Sequence, residues 1–370
     1  MEKILSTSNL YEPDITDVIS KIDRFVAFDG DVNSAIEVFE SSFAQYHNSK
    51  YCISFSTGFW ALVASIIVKS DDGRNEVIMP SLTYRRLADA VYWAGKIPVF
   101  VDIDPENLAI SPDSIKKNIS NESSLILAVH PIVNCCDVEN IIKISESYGI
   151  PLLFDAVESV HETINGKRIG SFGAGEVFSM HASKLLNGLE GGYVCTDDKK
   201  FKDDLILFRD GQYLKGTDNS DSSSGMNFSL HGFHALFGLS SLSEVETNVA
   251  HNRNIYNSYR CELNDIEGIR LLAFNERDQT SYKNIVVEVL DNYPLSRDSL
   301  LEMLNKNNVL ARSYYSIPLH EKKTHYPVKI TDLTHTIHAS TRFLNLPCGY
   351  RVTDSDVTYV CNLIQGVSNG

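Results

Sequence analysis

The chain has 370 residues, 43% of them hydrophobic and 22% charged, enough for a large core and two domains. Its formal charge of −15 excludes nucleic acid or an anionic membrane as main partner, since both need dense Lys and Arg, but leaves room for one local phosphate site. Seven cysteines without a CxxC pair fit a reducing cytoplasm. The N-terminal segment has no apolar stretch suited to a signal peptide, and no run has the length of a membrane span, so a cytoplasmic, soluble protein is expected.

From residue 50 short apolar runs alternate with amphipathic stretches. Tyr51–Phe55 reads as a strand and Phe59–Val68 as a helix starting just after Gly58. Glu76–Met79 is a strand stopped by Pro80, and 83–95 has helical spacing with Leu87, Ala90, Val91 and Trp93 as its apolar stripe. Ile97–Val101 and Leu125–Val129 are strands. Val138–Tyr148 is a helix closed by Gly149, and Pro151–Asp155 is a strand. Apolar strands alternating with helices predict an α/β fold with a mostly parallel sheet covered on both faces, and such sheets bind ligands at the carboxyl ends of their strands. Residues 216–225 are polar and aperiodic, as in a mobile loop. The spacing turns helical from His231 to about Cys261, as in a long connector. Strand-like Asn284–Val289 and helix-like 297–306 then suggest a smaller α+β domain. The expected division is a large domain over 1–240 and a small one over 241–370.

Ser179-Met-His-Ala-Ser-Lys184, followed by Gly188-Leu-Glu-Gly-Gly192, sets a lysine between a serine-bearing turn and a glycine-rich turn. A partly desolvated lysine there can form a Schiff base with pyridoxal phosphate (PLP). That cofactor also needs a carboxylate at its ring nitrogen, and Asp155 ends a strand upstream. The hexapeptide alone suits a lysine on a surface loop equally well. No GxGxxG follows the first strands, which disfavours a dinucleotide enzyme. His231 and His234 lack a third ligand, so no metal site is expected.

Ordered landmarks extend the pattern: Ser56-Thr57-Gly58, Glu76-Val-Ile-Met-Pro-Ser-Leu-Thr-Tyr84, Pro98-Val-Phe-Val-Asp102-Ile-Asp104-Pro105, Phe154-Asp155-Ala156, the Gly170-Ser-Phe-Gly173 turn, Ser179…Lys184, Glu190-Gly-Gly192, Gly225-Met-Asn227 and Leu344-Asn-Leu-Pro347. From about residue 30 to the C-terminus the chain resembles the DegT/StrS-type nucleotide-sugar aminotransferases, PLP enzymes with the aspartate-aminotransferase fold.

The resemblance implies that Lys184 is the Schiff-base lysine and moves a proton in the reaction. The sugar dehydratases of the family carry histidine there, which favours amino transfer over deoxygenation. By the same likeness Asp155 faces the ring nitrogen. Gly58, Phe59 and Ser179 meet the phosphate, with Thr57 as a further contact, and Tyr84 stacks on the ring. Asn227 comes from the neighbouring subunit, which implies a homodimer with a shared active site. Relatives carry small residues where Phe59 and Trp60 stand, and apolar or small ones where Arg85 and Arg86 stand. Glu158 replaces a glutamine or histidine close to the cofactor's 3′-oxygen, where a carboxylate needs a proton or a cation beside it. The segment Ala311-Arg-Ser-Tyr-Tyr315…His320 marks Arg312, Tyr314 and His320, with Arg85, as candidate substrate contacts. The expected reaction carries an amino group from an amino acid such as glutamate to a nucleotide-diphosphate keto sugar, at C4 of a 4-keto-6-deoxy sugar. A non-nucleotide ketone such as a cyclitol, and a PLP-binding protein without turnover, are the alternatives.

Overall fold

The computed structural model describes residues 3–7, 14–29, 32–211, 227–315 and 317–368, with the backbone alone for 25–29 and 368. The loop expected at 216–225 lies outside the described residues.

The centre is an eight-stranded sheet. Its strands run Lys329–Ile330, Ile97–Val101, Glu76–Pro80, Ser123–Val129, Leu152–Asp155, Glu176–Ser179, Gly192–Thr196 and Tyr51–Phe55 from edge to edge. Gly192–Thr196 is antiparallel to both neighbours, and the other pairings are parallel. Both faces are buried, which is why the strands read as unbroken apolar runs. Val77, Met79, Leu125, Leu127 and Val177 pack against the helices Gly58–Lys69 and Lys199–Arg209. Ile78, Val99, Ile126 and Phe154 point the other way, towards the helices Pro112–Asn118 and Val138–Tyr148. On that second face Phe178 and Tyr193 also meet Phe39 and Phe43 of the helix Ala35–His47.

Local chemistry explains where the helices begin and end. Thr57 accepts a hydrogen bond from Trp60 N–H (3.2 Å) and caps the helix Gly58–Lys69. Asp137 does the same for Asn140 N–H (3.2 Å), and Gly149, at φ 61°, closes that helix in the left-handed region. The helix expected over 83–95 is shorter, Leu87–Trp93. The preceding residues are claimed by tertiary contacts: Ser81 accepts from His320 N–H (3.0 Å), and the Arg85 carbonyl accepts from Lys322 Nζ (2.9 Å). The expected connector is two helices, Gly232–Ser243 and Val245–Leu263, broken at Glu244.

A second, antiparallel sheet orders Ile269–Leu271, Ile285–Val289, Phe343–Leu346 and Arg312–Ser313. Leu5–Ser6 pairs with Val309–Leu310, so the N-terminal arm is tied to the C-terminal part of the chain. Asp102, at the end of its strand, accepts from His335 N–H (2.9 Å) and Thr336 N–H (2.7 Å). It thereby caps the helix Thr334–Ser340, whose own N-cap residue, Leu333, offers no side-chain oxygen.

Candidate active site

Three strand ends converge, two on neighbouring strands and the third across the intervening strand Gly192–Thr196. Tyr51–Phe55 delivers Ser56 and Thr57 to the start of a helix, Leu152–Asp155 ends on Asp155, and Glu176–Ser179 ends on Ser179. Glycine permits this convergence. A Cβ on Gly192 would lie 2.4 Å from both N and Cα of Gly58, and a Cβ on Gly58 would lie 2.8 Å from the Ser179 Cβ. The helix start is thus pressed against the Ser179 side chain. N–H groups in the first turn have no intrahelical partner, so Gly58 and Phe59 present donors beside the Ser179 hydroxyl, at the positive end of a 12-residue helix. That hydroxyl already accepts from His181 N–H (3.2 Å), which leaves its proton to donate.

The lysine turn is held by backbone bonds. Lys184 N–H donates to the His181 carbonyl (2.8 Å), Met180 N–H to that of Gly191 (2.9 Å) and Gly188 N–H to that of Met180 (2.9 Å). His234 is bound to the Gly188 carbonyl (2.8 Å), and His231 accepts from Phe233 N–H as a helix cap (3.3 Å). Both histidines therefore have structural roles. Lys184 is 19% exposed and donates to Oε1 of Glu158.

Asp155 is only 5% exposed, and Val157 N–H donates to its carboxylate (3.2 Å). Burial pushes its pKa up to about 6, against the opposing pull of that hydrogen bond and of Lys184. A buried carboxylate held this way gains from any cation placed against it. Glu158 behaves in the opposite sense. It is largely but not fully buried, and two ammonium groups hold its pKa down at about 2: Lys184, and Lys283, which donates to Oε2 at 2.8 Å. Lys283 was not among the residues expected from the sequence. Its signal was a lone lysine two residues before the buried strand Ile285–Val289.

Other expected residues are more dispersed. Tyr314 is buried, with its hydroxyl accepting from Ile132 N–H (3.4 Å), and its phenol and that of Tyr315 are held protonated mainly by burial, with the Glu158 charge adding. His320 shares a hydrogen bond with Ser81 Oγ (2.8 Å), and Lys322 binds the Arg85 carbonyl, so His320 and Arg85 stand on one rim. Tyr84 lies on that rim, 45% exposed. Phe59 carries the Arg86 guanidinium over its ring, 4.6 Å from the centroid. Arg312 is exposed on the edge of the second sheet. Asn227 is exposed, its side-chain oxygen accepting from Ser229 N–H (3.0 Å), while the next residue's carbonyl accepts from Ser56 N–H (2.7 Å).

These residues fit PLP: an amine nucleophile, a buried carboxylate short of a cation, and a cradle of N–H and O–H donors for a phosphate. The profile of the DegT/DnrJ/EryC1/StrS aminotransferase family matches residues 30–365. A GDP-perosamine synthase of Vibrio cholerae is 25% identical over 343 residues, covering 90% of this chain and 91% of the relative. A dTDP-4-amino-4,6-dideoxy-D-glucose transaminase of Shigella dysenteriae is 26% identical over 329 residues, 89% of each chain. Among solved structures, DesI crystallised with its TDP-sugar product superposes with a TM-score of 0.91 at 26% identity, covering 100% of this chain and 94% of DesI. The chain belongs to the DegT/DnrJ/EryC1/StrS aminotransferase family and is a PLP-dependent transaminase.

Proposed function

We propose that the chain moves an amino group from an amino acid, with glutamate as the donor, to C4 of a nucleotide-linked 4-keto-6-deoxy sugar. The observation that carries the aminotransferase chemistry is the meeting of Lys184, Asp155 and the Gly58–Ser179 cradle at one end of the central sheet. The sugar assignment draws on the names of the relatives from Vibrio cholerae and Shigella dysenteriae. It also draws on the rim, where exposed Arg85 and half-buried His320 offer the cationic and donor chemistry a diphosphate calls for.

PLP, when bound, supplies an electron sink for the negative charge that develops at the substrate carbon. The remaining work falls to the chain. Ser179 Oγ, the Thr57 hydroxyl and the N–H groups of Gly58 and Phe59 hold the phosphate against the helix N-terminus. Asp155, short of a counter-charge, holds a proton on the ring nitrogen. Lys184 anchors the cofactor's aldehyde carbon. Its Nζ would also be the group that holds and moves the proton during the transfer. Tyr84 would hold the ring from the rim, and Tyr314, buried near Glu158, would help exclude water. Arg85, Arg312 and His320 are assigned to the sugar nucleotide.

We assign the working form to a cytoplasmic homodimer in which Asn227 completes the partner's phosphate site. Among the described residues no helix is long and apolar enough to cross a membrane.

The test begins with colour. The purified protein incubated with PLP should show a visible absorbance band, lost in Lys184→Ala, and L-glutamate should bleach it. A 4-keto-6-deoxy nucleotide sugar should restore the band as it is aminated. Bleaching by glutamate with restoration only by a ketone lacking a nucleotide would overturn the substrate assignment. A wild-type protein that stays colourless would overturn the cofactor chemistry itself.

A further inference from the structure

Glu158 is held from two sides. One carboxylate oxygen accepts from Lys184 and the other from Lys283 (2.8 Å), and all three side chains are 18–19% exposed. A single ion pair with Lys184 would balance the charge of this carboxylate but leave Oε2 without that partner. A second buried ammonium is costly: burial lowers the Lys283 pKa, as does the nearby Lys184 charge, and only the attraction of acidic groups works against that. That cost is offset most fully if Lys184 does not stay a free ammonium throughout. In a Schiff-base enzyme it does not, because the Lys184 nitrogen is covalently engaged for part of every cycle.

We propose that Lys283 is a positioning residue for the transamination site: it keeps Glu158 ionised and oriented when Lys184 is engaged, so that Glu158 sets how tightly the Lys184 nitrogen holds its proton. The inference rests on the PLP reading above.

The surroundings support the assignment. Asp155, at the end of the strand that leads into the Glu158 turn, adds negative charge near Glu158 and supplies no cation. Tyr314 and Tyr315, from the segment after the strand Arg312–Ser313, are held neutral. Glu162 acts on Lys283 only at a distance, because its carboxylate is taken up by Ser281 N–H (3.1 Å) and the Ser281 hydroxyl (2.8 Å). The Cys348 thiol, whose pKa is pushed up to about 12 by burial, donates to the Tyr282 carbonyl (3.4 Å). Among the described residues, then, the cations facing Glu158 are Lys184 and Lys283 alone. A cavity of about 20 Å³ that both lysines line has room for roughly one water, which brings no positive charge.

The experiment follows the visible band of the PLP-loaded protein from pH 5 to 11 in wild type, Glu158→Gln, Lys283→Met and the double variant. Removing the Glu158 charge should weaken the hold of the Lys184 nitrogen on its proton and lower the midpoint of the titration by about one pH unit. Lys283→Met should lower it similarly, because an unpaired buried Glu158 takes up a proton. The double variant should shift no further than either single one. A midpoint that rises or stays unchanged in Lys283→Met overturns the proposal, as does an additive double variant. Lys283→Gln serves as the second variant where methionine at this position does not fold. Absence of any band in the wild type would instead refute the cofactor reading, so the two failures are distinguishable.

Discussion

Asp155→Asn should stabilise the protein without cofactor and weaken its hold on PLP by a similar free energy. The native carboxyl titrates at about 6 and an ordinary aspartate at 3.8, with burial as the main cause. Because the folded value lies above the unfolded one, the folded chain keeps a proton that the unfolded chain has lost between those pH values. Stability therefore falls as pH rises through that window and stays reduced above it. The linkage amounts to ~1.6 kcal/mol at pH 5 and ~3 kcal/mol at pH 8. At 5% exposure, solvent screening reduces it little. Asparagine carries no such cost, and its side-chain oxygen can still accept from Val157 N–H. Urea unfolding of the cofactor-free proteins should show the variant ahead by up to ~3 kcal/mol at pH 8, with about half that margin at pH 5. PLP affinity should fall by roughly 100-fold at pH 8, since the cation that would have relieved the carboxylate no longer finds one. A variant less stable than wild type at pH 8, or a stability difference flat from pH 5 to 8, would refute the reasoning.

Other perturbations test the frame around the site. Gly192→Ala places a Cβ 2.4 Å from the Gly58 backbone and should cost ~1–3 kcal/mol in urea unfolding while loosening PLP retention, because the helix start must move away from Ser179. Asp102→Ala removes the acceptor of His335 and Thr336 N–H and should cost ~1–2 kcal/mol in unfolding with little change in the absorbance spectrum. A mixed dimer of Lys184→Ala and Asn227→Ala chains, each inactive alone, should regain activity in the one intact shared site. Recovery no greater than the sum of the parents would place Asn227 in its own subunit's site.

What could be read from the sequence follows the reach of each signal. The buried strands declared themselves because both faces are covered, leaving unbroken runs such as Leu152–Asp155. The helix Val138–Tyr148 was legible to its ends, since its punctuation is local: Asp137 before it and Gly149 after it. Two strands beside the lysine motif, Glu176–Ser179 and Gly192–Thr196, were hidden by the turn residues between them, which dominate the local pattern. The helix expected over 83–95 lost its first turn to partners far along the chain, Leu319 to Lys322. No local propensity could have signalled that competition.

The same distinction governs the site. Lys184 and Asp155 could be singled out in the sequence because a motif and a strand end mark each of them separately. Glu158 could be recognised as out of pattern, together with the condition that makes it tolerable: a proton or a cation at its side. Sequence could not say which, because the second cation is 125 residues away, on the approach to a strand of the other sheet. Lys283 meets the condition by charge. That choice has a structural consequence, since the bond spans the end of the central sheet and the start of a strand in the second one. Any movement of the second sheet relative to the first must stretch the Lys283–Glu158 contact, and any change of charge at Lys184 must alter its strength. The departure at Glu158 and the lysine that answers it therefore form one unit, joining the proton inventory of the site to the packing of the two sheets.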